Sequence, residues 1–323
     1  MRAVRFQRTG GPEVLEVVEV ADPQPGPGEV LIRHAAIGVN FIDTYHRSGL
    51  YPLPLPSGLG SEGAGEVVAV GEGVTRFKVG DMAAYAGGAP GAYAELSVRK
   101  ADRVVRVPAG IDASTAAAAL LKGMTSEFLL RRCYPVQAGQ TILVHAAAGG
   151  VGQMMVQWAK SLGAVVIGTV GSEDKAQRAR ELGCDHVILY REQDVAEEVR
   201  RITDGTGVPV AYDSVGRDTF EGTLASLGRR GMFVSFGNAS GPAPAFEPAR
   251  LQRAGSLFFT RPTLFDYVAT TEELDASASA LFEVLASRVV KVEVGQTFAL
   301  AEAAAAHQAL ESRATIGATL LLP

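Results

Sequence analysis

Apolar and polar positions fall into two regimes along the chain. Up to about residue 120 the apolar residues come in short runs, at 14–18, 29–36, 65–70, 82–85 and 93–98, separated by turn clusters such as Pro25-Gly26-Pro27-Gly28 and Gly87-Gly88-Ala89-Pro90-Gly91. Short runs punctuated this way predict the strands of a small β-barrel or sandwich. An alanine-rich stretch at 114–121 has helical propensity. From about residue 125 strand-like runs at 141–145, 165–170, 186–189, 208–213 and 231–236 alternate with helix-like segments at 153–162, 174–182, 195–202 and 219–227. In the first of these, Met154, Met155, Trp158, Ala159 and Leu162 recur at helical spacing and define one buried face. Such alternation predicts an α/β domain with a doubly wound parallel sheet. After about residue 265 two helical stretches flank a short strand at 289–294, and 316–322 is again strand-like. The domains expected are therefore 1–124 with a return segment 265–323, and a nucleotide-type domain 125–264.

Composition narrows the function classes. The chain of 323 residues carries a net charge of -5, without the basic footprint of a nucleic-acid-binding protein, so no nucleic-acid partner is expected. No apolar run approaches the roughly 20 residues of a spanning helix. Met1-Arg2-Ala3-Val4-Arg5-Phe6 lacks the apolar core of a secretory signal, and the expected location is cytoplasmic. Cys133 and Cys184 match no metal-ligand spacing and are read as buried structural residues.

The most specific local signal is Ala147-Ala148-Gly149-Gly150-Val151-Gly152, between a strand-like and a helix-like segment. It follows the dinucleotide fingerprint G-x-G-x-x-G with alanine in the first glycine's place. Gly149 lets backbone approach a pyrophosphate, Gly152 lets the helix pack closely, and the helix N-terminus offers free N–H groups to phosphate oxygens. An acid about 20 residues further on would accept a ribose 2′-hydroxyl. That count reaches Thr169-Val170-Gly171-Ser172, with no acid at the strand end. Ser172 and Lys175 lie where a 2′-phosphate would go, which favours NADP(H) over NAD(H).

The chain resembles the medium-chain dehydrogenase/reductases, specifically the zinc-independent NADPH:quinone oxidoreductases related to zeta-crystallin. The resemblance is carried by Gly10-Gly11-Pro12-Glu13-Val14-Leu15, Gly38-Val39-Asn40-Phe41-Ile42-Asp43-Thr44-Tyr45, Arg47-Ser48-Gly49-Leu50-Tyr51-Pro52, the glycine turn, Tyr212-Asp213-Ser214-Val215-Gly216, Ser235-Phe236-Gly237-Asn238 and Thr260-Arg261-Pro262. It implies a GroES-like β-barrel domain beside a Rossmann domain, NADPH as cofactor, a quinone substrate and a homodimer. The apolar run Leu257-Phe258-Phe259 could pair across a two-fold axis by edge addition, or be an ordinary internal strand. It also implies contacts to the 2′-phosphate from Lys175, Tyr190 and Arg313 beside the Gly171-Ser172 loop, and to the pyrophosphate from Gly150 and Val151. Asn40, Thr125, Phe236, Gly237, Asn238, Thr263 and Leu264 match segments near the nicotinamide half.

Zinc alcohol dehydrogenases of this superfamily carry a cysteine where this chain has Asn40, and a histidine where it has Ser61. No metal site is expected, because amide and hydroxyl groups are poor zinc ligands. Without a Lewis acid to stabilise an alkoxide, the acceptor should itself be electrophilic, as quinones are. Conjugated alkenals and enones are the alternative substrates. A nucleotide-binding, crystallin-like protein with little turnover, RNA-binding as some relatives are, is the reading from another class. Asn40 and Tyr45 are the catalytic candidates: the amide can donate to a developing oxyanion and the phenol can donate a hydrogen bond or a proton. His145 is expected to hold the glycine turn by bonding backbone, and Asp213 to accept from loop amides.

Overall fold

A computed structural model describes residues 1–312 and 315–323. The chain divides into two units, one of 1–124, 268–287 and 292–323, the other of 125–267 and 288–291.

The first unit is organised by the strand Glu29–Val39. One edge pairs antiparallel with Glu62–Val70 along its length. The other edge is shared: residues 29–33 pair with Leu96–Lys100, and residues 37–39 pair with Ala318–Leu322. The sheet continues through Met82–Ala86 to Val105–Arg106 on one side, and through the chain-terminal strand to Val294–Ala299 on the other. A smaller sheet holds Glu16–Glu19, Arg2–Phe6 and Ser57–Gly58. Alternation along the central strand, reset where its pairing with Glu62–Val70 shifts register between His34 and Ala36, sends Val30, Ile32, Ile37 and Val39 into a core with Phe6, Leu59, Val67, Tyr85, Tyr93 and Leu321. Each fully buried aliphatic or aromatic side chain contributes about 1.5–3 kcal/mol.

The second unit is a six-stranded parallel sheet in the order His186–Leu189, Val165–Val170, Thr141–Val144, Val208–Asp213, Leu227–Ser235, Phe258–Thr260. In chain order this is 3-2-1-4-5-6, the doubly wound dinucleotide-binding arrangement. The crossover helices Gly150–Ser161, Glu173–Glu181, Val195–Ile202 and Phe220–Ser226 fall within a few residues of the predicted spans. Leu143, Ile167, Ile188, Val208, Ala211 and Phe233 form the core.

One local expectation needs correction, and one element went unpredicted. The strand expected at 289–294 instead spans Val294–Ala299. The apolar pair Val289-Val290 precedes it in a segment belonging to the second unit, where the backbone of Lys291 exchanges hydrogen bonds of 2.9 Å with the Gln157 side-chain amide. The helix Phe41–Ser48 carried no apolar periodicity, since it buries Asp43, Thr44 and Arg47.

Candidate functional site

In the second unit the chain leaves the strand Thr141–Val144 through a turn in which Ala146 adopts a left-handed conformation (φ 53°). Gly149 is extended and caps the helix Gly150–Ser161. The first-turn N–H groups of a helix lack intrahelical acceptors, so Gly150, Val151 and Gly152 stand at a position suited to an anion. A Cβ on Gly152 would collide with the carbonyl oxygen of Ala146 and with the backbone of Ala147, so only glycine allows this helix to start so close to the turn.

The next strand, Val165–Val170, ends at Gly171-Ser172, and Ser172 caps the helix Glu173–Glu181 in which Lys175 is the third residue. Tyr190 is placed beside them, because its N–H donates to the Val170 carbonyl at 3.1 Å and its ring lies against Gly171. Gly171, Ser172, Lys175 and Tyr190 are thus gathered at the carboxyl ends of two adjacent strands. Glu173, the first acid past the strand, turns its carboxylate to Arg180 at 2.7 Å. Arg313 lies outside the described residues.

Phe236, Gly237 and Asn238 follow the strand Leu227–Ser235, with the Phe236 N–H donating to the Asp213 carbonyl at 2.8 Å. Thr263 precedes the short helix Leu264–Tyr267, whose Leu264 is buried, and Thr125 is buried in the helix Ala113–Phe128. Asp213 accepts from the N–H groups of Val215 at 2.7 Å and Gly216 at 3.1 Å, as its loop-closing role required. His145 differs from expectation: its ring bonds the hydroxyls of Thr169 at 3.0 Å and Thr223 at 2.9 Å and no backbone group, among the described residues. Burial pushes its pKa down, with the Asp213 charge opposing the shift. Cys184 is buried, whereas Cys133 is only half-buried.

In the first unit Asn40 caps the helix Phe41–Ser48. Its backbone N–H donates to Asp43 Oδ2 at 2.9 Å, and its side-chain Nδ2 donates to Glu62 Oε2 at 2.8 Å. Glu62 is fully buried and also receives the Leu121 N–H at 2.6 Å and the Lys122 ammonium at 3.2 Å. Gly38 makes room for this, since a Cβ there would strike both Glu62 and the Ala117 carbonyl oxygen. One N–H of the Asn40 amide is therefore directed inward, to Glu62. Tyr45 meets Tyr51 edge to face with ring centroids 5.3 Å apart, and the Tyr51 N–H donates to the Tyr45 carbonyl at 3.0 Å.

Sequence reasoning missed the chain of buried polar groups behind this helix. Arg47 Nη1 lies 2.9 Å from His307 Nδ1, and since arginine can only donate, Nδ1 accepts. Burial, reinforced by the Arg47 charge, pushes the His307 pKa down to about 3. The neutral ring therefore carries its proton on Nε2, which donates to Tyr93 Oη at 3.0 Å. Tyr93 in turn donates to Asp43 Oδ2 at 3.0 Å. Arg47 also pairs with Glu311 at 2.5 Å. Burial pushes the Asp43 pKa up to about 7, against the opposing pull of the Asn40 N–H and Tyr93, while Asp43 Oδ1 is buried without a hydrogen-bond partner. No periodicity announces these residues; polar groups spaced three and four apart in 40–47 were the only signal.

Comparison with known proteins bears on both units. Residues 26–109 match the alcohol dehydrogenase GroES-like domain, and residues 150–283 match the zinc-binding dehydrogenase domain. A quinone oxidoreductase of Pseudomonas aeruginosa is 54% identical over 323 residues, covering 100% of this chain and 99% of the relative. The chain belongs to the quinone oxidoreductase family. A solved quinone oxidoreductase of Escherichia coli, complexed with NADPH, superimposes with a TM-score of 0.99 at 49% identity, covering 100% of both chains. A 2-haloacrylate reductase of Burkholderia is 45% identical over 332 positions, covering 99% of this chain and 98% of the relative. Fold and family thus agree: a GroES-like domain and a Rossmann-type domain in a quinone oxidoreductase. One domain description mentions zinc, and the side chains here do not suit it. The carboxylate of Glu62 is already neutralised by Lys122, and the amide nitrogen of Asn40 points an N–H, not a lone pair, at it. Among the described residues no group of three or more His, Cys, Asp or Glu side chains is arranged to hold a metal.

Proposed function

We propose that the protein is an enzyme that transfers reducing equivalents from NADPH to quinones. The observation that carries this reading is the full-length similarity to quinone oxidoreductases, one of them solved with NADPH. The second unit fits that cofactor: a helix N-terminus with close-packing Gly152 would receive the pyrophosphate, and Gly171, Ser172, Lys175 and Tyr190 would receive the 2′-phosphate, with Arg313 as a further contact. When bound, NADPH supplies the hydride. Thr125, Phe236, Gly237, Asn238, Thr263 and Leu264 are assigned to the nicotinamide half. Asn40 and Tyr45 act on the reactants, Tyr45 through the hydroxyl of a ring braced by Tyr51. Steady-state NADPH oxidation over a panel of quinones tests the reading; no turnover with any quinone, alongside good turnover of another acceptor, would refute it.

A second substrate class, activated alkenes, is favoured by the 45% identical 2-haloacrylate reductase. The ratio of kcat/KM for a benzoquinone and for 2-chloroacrylate separates the two. We place the reaction in the cytoplasm, where NADPH is supplied and where free thiols such as Cys133 and Cys184 persist. Dimerisation is proposed through the edge strand Phe258–Thr260. Phe259 packs on Phe233 and Phe246, whereas Phe258 is 57% exposed at the open edge. A Phe258→Lys variant that leaves the mass in light scattering unchanged would remove that edge from consideration.

A further inference from the structure

Asn40 is held by a buried ion pair whose geometry decides which end of its amide faces outward. Glu62 has no exposure and Lys122 is nearly as buried. An ionised carboxylate offers only acceptors, so the amide atom 2.8 Å from Glu62 Oε2 must be the nitrogen. The same nitrogen has the Gly38 carbonyl at 3.5 Å, so its N–H groups are turned toward protein acceptors. Among the described residues the amide oxygen has no such partner. Flipping the amide would set its oxygen against the Glu62 carboxylate. Lys122 and the Leu121 N–H keep that carboxylate in place at 3.2 and 2.6 Å.

We propose that Glu62, paired with Lys122, is a positioning residue that locks Asn40 with its amide oxygen outward, so that Asn40 receives a hydrogen bond from an N–H or O–H donor on the bound reactants. This rests on the assignment of Asn40 to the site of a quinone reductase and specifies its polarity: an acceptor, not an oxyanion donor. Two reactant groups have the right chemistry, the carboxamide N–H of reduced nicotinamide and the hydroxyl of the hydroquinone product.

The experiment is a double-mutant cycle in the full chain. Replacing the pair together, Glu62→Met with Lys122→Met, leaves no orphaned charge, the condition under which buried pairs are replaced at little cost in stability. Asn40→Ala is expected to lower kcat/KM about tenfold, the size of one positioned hydrogen bond. The pair replacement should do likewise in the Asn40 background and change less than about twofold in the Asn40→Ala background. Equal losses in both backgrounds would overturn the proposal, as would an Asn40→Ala variant with unchanged kinetics; neither result touches quinone reduction by the parent enzyme, which has its own assay. Should the double replacement not fold, a side-chain amide NMR spectrum of the parent enzyme reads the geometry directly. One Asn40 proton should be shifted downfield and slow to exchange in the parent enzyme; its absence would also overturn the proposal. A reduced 3-acetylpyridine analogue of NADPH, which lacks carboxamide N–H groups, distinguishes the donors. Loss of the Asn40→Ala effect with the analogue assigns the bond to the cofactor. Persistence of the effect, with weaker hydroquinone product inhibition in Asn40→Ala, assigns it to the quinol.

Discussion

The two units build their functional groups from different materials. In the second, the decisive features belong to the backbone: a left-handed Ala146, an extended Gly149, a helix start that tolerates only glycine at 152, and strand ends that bring Tyr190 to Gly171. In the first, they belong to buried side chains, with Asn40, Asp43, Glu62, Tyr93, Lys122 and His307 bonded to one another in the interior. A backbone site depends on close approach and fails when an atom is added. A side-chain site depends on charge balance and fails when one partner is taken away.

The largest effect should therefore come from unbalancing the first unit. Lys122→Met leaves the Glu62 carboxylate buried without its cation and is expected to cost about 3–5 kcal/mol. The double replacement of Glu62 and Lys122 should recover most of that. Chemical denaturation of the three proteins checks the comparison; equal stability of the single and double variants would show that the pair is not what holds the interior charge.

The complementary test adds an atom. Gly152→Ala puts a methyl group onto the Ala146 carbonyl and the Ala147 backbone, which must shift. A loss of about 2 kcal/mol in stability is expected from such backbone strain, accompanied by NADPH binding too weak to detect by fluorescence titration. Retention of binding would show that the turn can relax without spoiling the anion site.

This contrast explains what the sequence disclosed. Glycines at 149, 150 and 152 stand where a known backbone geometry needs them, and the strands around them are buried on both faces, so they read as apolar runs. The parallel sheet and its four crossover helices were legible for that reason. In the first unit Asn40 and Tyr45 were singled out by resemblance, but Glu62, Lys122 and His307 were not, because a buried charge looks the same in a sequence as a solvated one until its partner is known. The partners are 60 residues apart for Lys122 and Glu62 and 260 apart for His307 and Arg47. The helix Phe41–Ser48 was hidden by the same inversion, with its polar residues facing in.

Asp43 gives the contrast a pH dependence. Its folded pKa is pushed up to about 7 from an ordinary 3.8, mainly by burial. Between those values the unfolded chain has released the proton and the folded chain keeps it, so this group lowers stability as pH rises, by about 1.4 kcal/mol per pH unit. Above about pH 7 both states are ionised and the loss is constant. Asp43→Asn keeps an oxygen to accept from Asn40 and Tyr93 and removes the titration. Relative to the parent, the variant should gain stability steadily from about pH 4 to 7 and no further above it. His34 and His307, pushed down to about 4 and 3 by burial, act in the opposite direction below pH 6.5, but they are common to both proteins and cancel in the difference. A flat difference across this range would mean that Asp43 is ionised throughout in the folded protein.

The smallest effect should be at Lys175, the side chain proposed to meet the 2′-phosphate in the second unit. The strand end offers no carboxylate to a ribose hydroxyl, and Glu173 is turned to Arg180, so discrimination between the two nucleotides falls to cations and hydroxyls. Lys175 is half-exposed on the first turn of its helix, which screens its charge, and Ser172 and Tyr190 share the position. Lys175→Ala should therefore weaken NADPH about fivefold and leave NADH nearly unchanged, as expected for one partly screened charge-assisted hydrogen bond among several. The KM ratio of the two nucleotides, measured at low and at high salt, reads this directly, and the gap between parent and variant should narrow as salt rises. An equal loss for both nucleotides would move Lys175 from the 2′-phosphate to a part of the cofactor that they share, and would leave Tyr190, Ser172 and Arg313 to account for the preference.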